Sequence, residues 1–237
     1  MLKAAIEKIL ELAPVQIFDV EGKPYSTQKL VYIPPVVDRP ERLKVNGLDS
    51  IVKLIRTELD KIDTTVLVRV TSETRVEVMT TYLGDYSRNT LYVAETDVPG
   101  FRDGWRERET AMIQLRSLFI PGKGTEYLLD LLSKVSKDDK VSTTDNGVTQ
   151  NVEARMGIAL KESVEIKPRV PLQPFRTFLE VAQPESEFLL RLDEEGRIGL
   201  FEADGGVWRL EAKRNIMNWL TVQLGDLVED KRVVVMM

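Results

Sequence analysis

The chain contains neither cysteine nor histidine among its 237 residues. Thiolates and imidazoles are the main ligands of zinc, so no structural zinc site of that kind can hold the fold together. Hydrophobic residues make up 43% of the sequence and charged residues 30%, as in globular proteins with a packed core. The length suits one large domain or two small ones, and the fold must rest on hydrophobic burial.

The same absence limits the available chemistry. Histidine is the side chain that titrates near neutrality without help, and it supplies the base of Ser-His-Asp and Cys-His sites. Carboxylates, lysine, arginine, tyrosine, hydroxyls and backbone groups remain. We therefore predict a protein that is not an enzyme, with no catalytic residue, no resident metal and no cofactor.

Charge and hydropathy bear on partners and location. The formal net charge is -5 and the pI is about 5.1, which disfavours broad sequence-blind binding of nucleic acid. No apolar run approaches the roughly 20 residues of a membrane span. Residues 1–7 are amphipathic and lack the apolar core of a secretory signal. We expect a cytoplasmic protein that has no membrane partner.

Apolar periodicity predicts the first elements. Helical spacing predicts helices over residues 2–12 and 48–59, separated by an extended, proline-rich stretch from Val15 to Pro40. A short strand is expected around Leu30 and Tyr32.

Alternating apolar and polar residues predict a hairpin from Thr65–Thr71 and Arg75–Leu83, followed by a third strand at Thr90–Glu95. In residues Glu109–Phe119 the apolar positions fit both the 3.6-residue period of a helix and the two-residue period of a strand, and we favour a strand. The turn at Pro121–Gly124 then leads into a helix with an apolar face.

The polar segment 137–150 contains the turn signal Asp145-Asn146-Gly147 and is the expected loop or domain boundary. It would divide the chain into 1–136 and 137–237, unless both halves form one domain. Strands are expected beyond it, with hairpin turns at residues 194–196 and 204–206, before a last helix around Ile216–Leu224. The predicted strands are Val152–Leu160, Val164–Val170, Phe175–Ala182, Phe188–Leu192 and Ile198–Glu202.

Residues Val233–Met237 form an apolar run. Chain ends are usually polar and loosely held, so this run is unusual. This segment should either add a strand to a sheet or lie buried in a neighbouring subunit, and we expect a homo-oligomer. Together the elements predict an α+β fold: antiparallel sheets, packed as a sandwich or otherwise, with about four flanking helices.

The densest candidate site is the segment Phe101–Arg108, which interleaves aromatic rings with arginines. Arginine forks match phosphates, and rings can stack on bases, so we predict a pocket for a nucleotide-like molecule. The alternative is a solvated face in which Asp103, Glu107 and Glu109 neutralise the arginines and Trp105 is a core anchor. The candidate ligand-binding residues are Tyr86, Arg88, Arg102, Trp105, Arg106, Arg108 and, from a later basic segment, Arg176.

Two further patterns carry weaker signals. Carboxylates cluster at Asp138-Asp139, Asp193–Glu195 and Asp226–Asp230, but none has a recognisable nuclease spacing. The segment Gly122–Thr125 precedes a helix and could hold a phosphate, although it lacks the full P-loop spacing and suits a tight turn.

The order of these elements resembles the YfdQ-like phage and prophage family of unknown function, over roughly residues 30–215. The similarity rests on the extended start at Leu30-Val31-Tyr32 and the helix from Leu48 to Ile55. It continues with the strand pair at Thr65–Val68 and Val76–Met79. The charged segment Trp105–Arg108 and the later strands with Phe175 and Leu190–Leu192 complete it. This resemblance implies a viral or prophage origin and leaves activity open.

Three functions follow as expectations. The first is a phage-encoded, non-catalytic, self-assembling binding protein that sequesters a nucleotide-like signal or a host defence component. The second is an accessory single-strand nucleic-acid-binding protein of phage replication or recombination. The third is a carboxylate-metal-dependent hydrolase.

Overall fold

The computed structural model describes most of the chain from residue 41 onward and part of what precedes it. The described residues are Leu2, Lys3, Ile6, Lys8, 15–27, 41–134, 140–145, 150–156, 159–193 and 197–237. Contacts divide the chain into two units, Met1–Pro40 and Glu41–Met237. In the first unit, β1 (Ile17–Val20) pairs antiparallel with β2 (Lys23–Ser26). Most of the predicted helix over 2–12 and the predicted strand at Leu30 and Tyr32 lie outside the described residues.

A five-stranded sheet organises one side of the second unit, in the order β14-β4-β5-β6-β3. Its strands are β3 (Leu43–Val45), β4 (Val66–Ser72), β5 (Arg75–Thr80), β6 (Thr90–Glu95) and β14 (Val233–Met236). The central three form the predicted antiparallel meander. Both outer strands run parallel to their neighbours, β14 to β4 and β3 to β6, so this sheet is mixed.

Two helices cover one face of that sheet. Helix α1 (Leu48–Glu58) buries Leu48, Ile51 and Ile55, which recur at the spacing of one helical face. They pack in one core with alternate residues of β4 and β5 and with residues in and just after α4 (Trp208–Gln223). The α4 residues in this core are Ile216, Leu220 and, just after the helix, Leu224. A short helix α5 (Gly225–Glu229) then leads to β14.

A four-stranded antiparallel sheet has the order β11-β12-β13-β7. Its strands are β7 (Gly104–Arg106), β11 (Arg169–Leu172), β12 (Ser186–Leu192) and β13 (Ile198–Glu202). Helices α2 (Arg108–Ser117) and α3 (Lys123–Lys134) share a second hydrophobic core with it.

The strand predicted over Glu109–Phe119 is wrong, because α2 occupies this segment. Ala111, Leu115 and Phe119 are buried at a four-residue spacing, whereas Ile113, which a strand would place with them, is 60% exposed. Both periods fit the sequence, and burial against α3 and the second core selects the helical one.

The strand predicted over Phe175–Ala182 is also wrong. The backbone here is a loop, and the buried side chain of Gln183 makes several of its hydrogen bonds. Its amide oxygen accepts from the backbone N–H groups of Arg176 and Thr177 at 2.9 and 3.1 Å, and its Nε2 donates to the carbonyl of Phe178 at 2.9 Å. The side-chain amide thus replaces a neighbouring strand as the hydrogen-bonding partner.

A three-stranded antiparallel sheet, β10-β9-β8, contains β8 (Lys140–Asp145), β9 (Gln150–Met156) and β10 (Ala159–Ile166). Asp145 pairs with Gln150, so the strands flank the predicted turn, whose tip lies outside the described residues. The boundary at 136/137 stays a prediction, and strands pair across it, β7 with β13 and β4 with β14.

The protein therefore has the predicted α+β fold, with several sheets and flanking helices. The hairpin predicted at Asp204–Gly206 is wrong, because this turn connects β13 to α4. Within the described part of the chain, no helix is long and apolar enough to cross a membrane.

Candidate ligand-binding cleft

A cleft of about 440 Å³ opens where the β4–β5 turn, the segment before β7, the loop before β12 and the start of α4 meet. Its volume lies within the range of small-molecule sites, about 300–1,000 Å³. The lining residues are Glu73, Thr74, Val98, Gly100, Phe101, Arg102, Asp103, Pro174, Arg176, Phe188, Glu202, Trp208 and Arg209.

One wall of the cleft is aromatic. Phe101 and Phe188 line it, and their rings pack edge to face with centroids 5.6 Å apart. Behind them, Phe119 packs edge to face on Phe101 with centroids 5.0 Å apart. Phe119 and Phe188 are buried in the second core, whereas Phe101 reaches its edge. This packing fixes an apolar surface beside the charged groups of the cleft.

Arg176 is the central charged group and is 7% exposed. Its Nη1 donates to Glu202, and its Nη2 donates to the hydroxyl of Ser186 and, at 3.0 Å, to the carbonyl of Pro184. Burial lowers its pKa, and the neighbouring carboxylate of Glu202 opposes that shift. The Nε atom is buried and has no hydrogen-bond partner among the described residues.

Glu202 ties this arginine to the start of α4. Its second oxygen accepts from the indole Nε1 of Trp208 at 3.0 Å, and the guanidinium carbon of Arg176 lies 4.0 Å from the centroid of that indole. A cation over an aromatic face is favourable, and more so when both groups are desolvated. The three side chains therefore form one rigid wall.

Asp204 anchors the wall from behind. Its carboxylate accepts from Ser186 Oγ at 2.7 Å and from the backbone N–H groups of Gly206 and Trp208 at 2.9 and 3.2 Å. Burial alone would raise the pKa of Asp204, but these hydrogen bonds outweigh burial and leave the pKa below its ordinary value. The first turn of α4 is thus held by a carboxylate, as at helix N-termini generally.

The rim carries balanced charge. Arg209 Nε lies 3.5 Å from Glu73 Oε1, and Asp103 accepts from the backbone N–H of Glu202 at 3.1 Å. The lining contains three arginines and three carboxylates in total. Arg102 is exposed, and its guanidinium has no ion pair with any residue in the described ranges. One cation of the rim is therefore available to a ligand.

The structure brings together two of the predicted binding residues, Arg102 and Arg176, although they come from separate segments. It also shows that the fork of Arg176 is occupied by protein acceptors. Arg176 thus shapes the wall, whereas Arg102 lines the cleft with an exposed side chain.

The other arginines of the charged segment bond to backbone groups. Arg106 donates to the carbonyls of Arg102 and, at 2.9 Å, of Gly104, and its guanidinium carbon lies 4.4 Å from the centroid of Phe101. Burial lowers the pKa of Arg106, and Asp103 opposes that shift. Arg108 donates to the carbonyl of Leu132 at 3.4 Å. These two arginines support the segment from behind and do not line the cleft.

Three of the predicted binding residues, Trp105, Tyr86 and Arg88, do not line the cleft. Trp105 is 46% exposed and packs edge-on against Phe201, with centroids 5.9 Å apart. Tyr86 is 85% exposed in the β5–β6 connection, where Arg88 stacks on Tyr82 at 4.4 Å. Neither Tyr86 nor Arg88 lines the cleft.

Four charged or aromatic residues of the cleft were not predicted from the sequence: Glu73, Glu202, Trp208 and Arg209. Glu202 was predicted only as the last residue of a strand, and Trp208 was not singled out. The available signal was the Asp204-Gly205-Gly206 turn, which precedes a helix and so places the next side chains at its first turn.

The glycine turn before α3 closes on itself. Thr125 Oγ1 accepts from the N–H of Gly122 and donates to its carbonyl, both at 2.8 Å. A Cβ on Gly124 would lie 2.1 Å from the carbonyl oxygen of Pro171, so glycine is needed for close packing. This arrangement agrees with a tight turn.

Within the described residues, no group of three acidic side chains is placed to hold a metal ion. Comparisons with protein-family models, curated proteins and solved structures found no match to this chain.

Proposed function

We propose that the protein is a non-catalytic binding protein whose cleft takes a small, nucleotide-like molecule with one anionic group. The single observation behind this proposal is a preformed cleft with an aromatic wall beside the uncompensated guanidinium of Arg102. Sites for small molecules typically combine an apolar surface with a few placed polar groups.

The charge balance of the cleft narrows the ligand. Arg176 is neutralised by Glu202, and Arg209 lies beside Glu73, which leaves Arg102 to meet a single phosphate or carboxylate. Three carboxylates in the lining would repel further negative charge. A nucleoside monophosphate or cyclic mononucleotide is therefore a better ligand than a triphosphate.

Calorimetric titration with a nucleoside, its monophosphate, its cyclic monophosphate and its triphosphate tests this proposal. We expect saturable binding of the two monophosphates and binding about tenfold weaker for Arg102→Ala, the loss of one charge-assisted hydrogen bond. Arg88→Ala removes an exposed arginine outside the cleft and should bind like the unaltered protein. Absence of binding across this panel would refute the proposal, as would multiple-turnover conversion of any ligand.

Self-assembly is the second part of the proposal, and it rests on β14. Among the described strands, β14 forms an outer edge of the five-stranded sheet, with Val234 39% and Met236 36% exposed. Unpaired edges with apolar side chains favour pairing with another chain. Mass photometry should detect an oligomer that Val234→Lys disrupts; a monomer at all concentrations would contradict it.

Sequestration of a signal from a host defence, and the phage origin implied by the YfdQ-like resemblance, fit such a role. Single-strand nucleic-acid binding has less support, because Arg106, Arg108 and Arg176 all bond to protein acceptors.

A further inference from the structure

Two smaller clefts adjoin each other where α3 begins beside β11. They have volumes of about 160 and 230 Å³ and share Lys123, Gly124 and Pro171 in their walls. None of their described lining residues belongs to the larger cleft discussed above. They therefore form a separate place on the surface.

The smaller cleft is strongly cationic. Lys123 comes from α3, Lys167 from the turn before β11, and Arg169 from β11 itself. No carboxylate is among the described residues that line this cleft, and none of the three cations forms an ion pair within the described ranges. All three cations are exposed, and an anion placed among them would be attracted to each one at once.

The fold holds these cations together by specific contacts. The Tyr127 hydroxyl accepts from the backbone N–H of Lys167 at 3.0 Å, and the Lys167 ammonium lies 5.3 Å from the centroid of the Tyr127 ring. The close approach of Gly124 to Pro171 sets α3 directly beside β11. The N–H of Gly122 is already bonded to Thr125, so this group does not contribute to the site.

The adjoining cleft of about 230 Å³ continues from the cations toward neutral and acidic groups. Gln173 and Glu185 line it together with Ile120 and Leu172. An amide and a carboxylate are suited to hydroxyl groups, and Glu185 disfavours a second phosphate. An extended nucleic-acid backbone carries a charge at every nucleotide and would meet that carboxylate.

We propose that these adjoining clefts bind a small phosphorylated molecule that carries hydroxyl groups. Its phosphate lies among Lys123, Lys167 and Arg169, where arginine contributes a two-pronged fork and the lysines contribute point charges. Its hydroxyl-bearing part lies against Gln173 and Glu185.

Titration with glycerol 2-phosphate and with inorganic phosphate, followed by calorimetry, tests the site. We expect saturable binding of both, tighter for glycerol 2-phosphate, and a preference that Gln173→Ala reduces. The combined variant Lys123→Gln, Lys167→Gln, Arg169→Gln should bind at least about tenfold more weakly. A control with the same charge change at exposed positions, Lys44→Gln, Lys53→Gln, Arg116→Gln, should bind normally.

Several results would overturn the site. They are the absence of saturable binding, equal binding by the cleft and control variants, and binding of a single-stranded oligonucleotide in place of glycerol 2-phosphate. The single variant Lys167→Gln, at an exposed position, tests the same loss if the combined variant fails to fold. Arg102→Ala should leave this binding intact, which separates the site from the larger cleft.

Discussion

Arg176 and Trp208 bond to the same carboxylate and also contact each other, with the guanidinium carbon 4.0 Å from the indole centroid. Glu202 thereby joins a loop, a strand and a helix at one wall of the cleft. Because each group fixes the other two, the wall is formed before any ligand arrives, which reduces the ordering cost of binding.

Replacing Arg176 by methionine should destabilise the protein. Glu202 would lose its cationic partner, and removal of one member of a buried ion pair costs about 3–5 kcal/mol. The side chain of Glu202 is 27% exposed, so we expect a loss near the lower end, about 3 kcal/mol. Urea denaturation measures it. Arg88→Met, at an exposed position, should change the free energy of unfolding by less than about 0.5 kcal/mol. Equal effects of the two substitutions would show that the network is not stabilising.

Asp204 should contribute a stability that depends on pH. Its pKa is lower in the folded protein than its ordinary value of 3.8, so the charged form favours folding. This contribution is fully present above that ordinary value and is lost as the pH falls through the lower folded pKa. Asp204→Asn keeps an acceptor oxygen but removes the charge, so it should lose about 0.3–1 kcal/mol at pH 7, the usual contribution of a carboxylate near a helix N-terminus, and flatten the acid limb of the stability curve. Denaturation between pH 7 and pH 2 measures both effects.

The exposed Asp97, which has no hydrogen bond or ion pair with the described residues, provides the control for this experiment. Asp97→Asn should leave the pH dependence unchanged. An unchanged curve for Asp204→Asn would mean that its three hydrogen bonds do not favour the charged carboxylate.

Gly124→Ala should loosen α3 from β11. The added methyl group would lie 2.1 Å from a backbone oxygen of Pro171, which cannot rotate away. We expect a loss of about 1–3 kcal/mol, the usual cost of overpacking. Gly84→Ala has nothing within 4 Å of its new Cβ and should be neutral or slightly stabilising. Thermal and urea unfolding of the two variants compare them directly, and equal stability would contradict the contact.

Val233→Ala should destabilise the edge of the five-stranded sheet by about 2 kcal/mol. Val233 is 1% exposed in the first core, whereas Val234, its neighbour on the opposite face, is 39% exposed. Val234→Ala should therefore cost less than about 0.5 kcal/mol. Chemical denaturation distinguishes them. If both changes are equally mild, β14 does not contribute to the core.

Local periodicity predicted those elements whose burial is one-sided. Helix α1 and the β4–β5–β6 meander follow directly from their spacing. The strand prediction for the α2 segment was wrong because its apolar residues fit both the helical and the strand period. Only packing against α3 decides between the two. The strand prediction for Phe175–Ala182 was wrong because the side chain of Gln183 bonds to backbone groups that a neighbouring strand would otherwise have paired.

The cleft was predictable only in part. Arg102 and Arg176 were identified from arginine and aromatic composition, but their proximity depends on the loop before β12 meeting the segment before β7. Local sequence patterns do not predict that these two segments, far apart in the chain, lie side by side. Glu202 and Trp208 remained unidentified for the same reason, since each reads locally as part of a strand or a helix.

The parallel pairing of β14 with β4 has a consequence for biosynthesis. During translation, β4 leaves the ribosome long before residues 233–236 are synthesised. Until then, the edge of β4 that pairs with β14 has no hydrogen-bonding partner from β14. Such an unpaired edge can form hydrogen bonds with other nascent chains until β14 is synthesised. Completion of this sheet is therefore a late event, and a chaperone that shields β4 during synthesis would raise the yield of native protein.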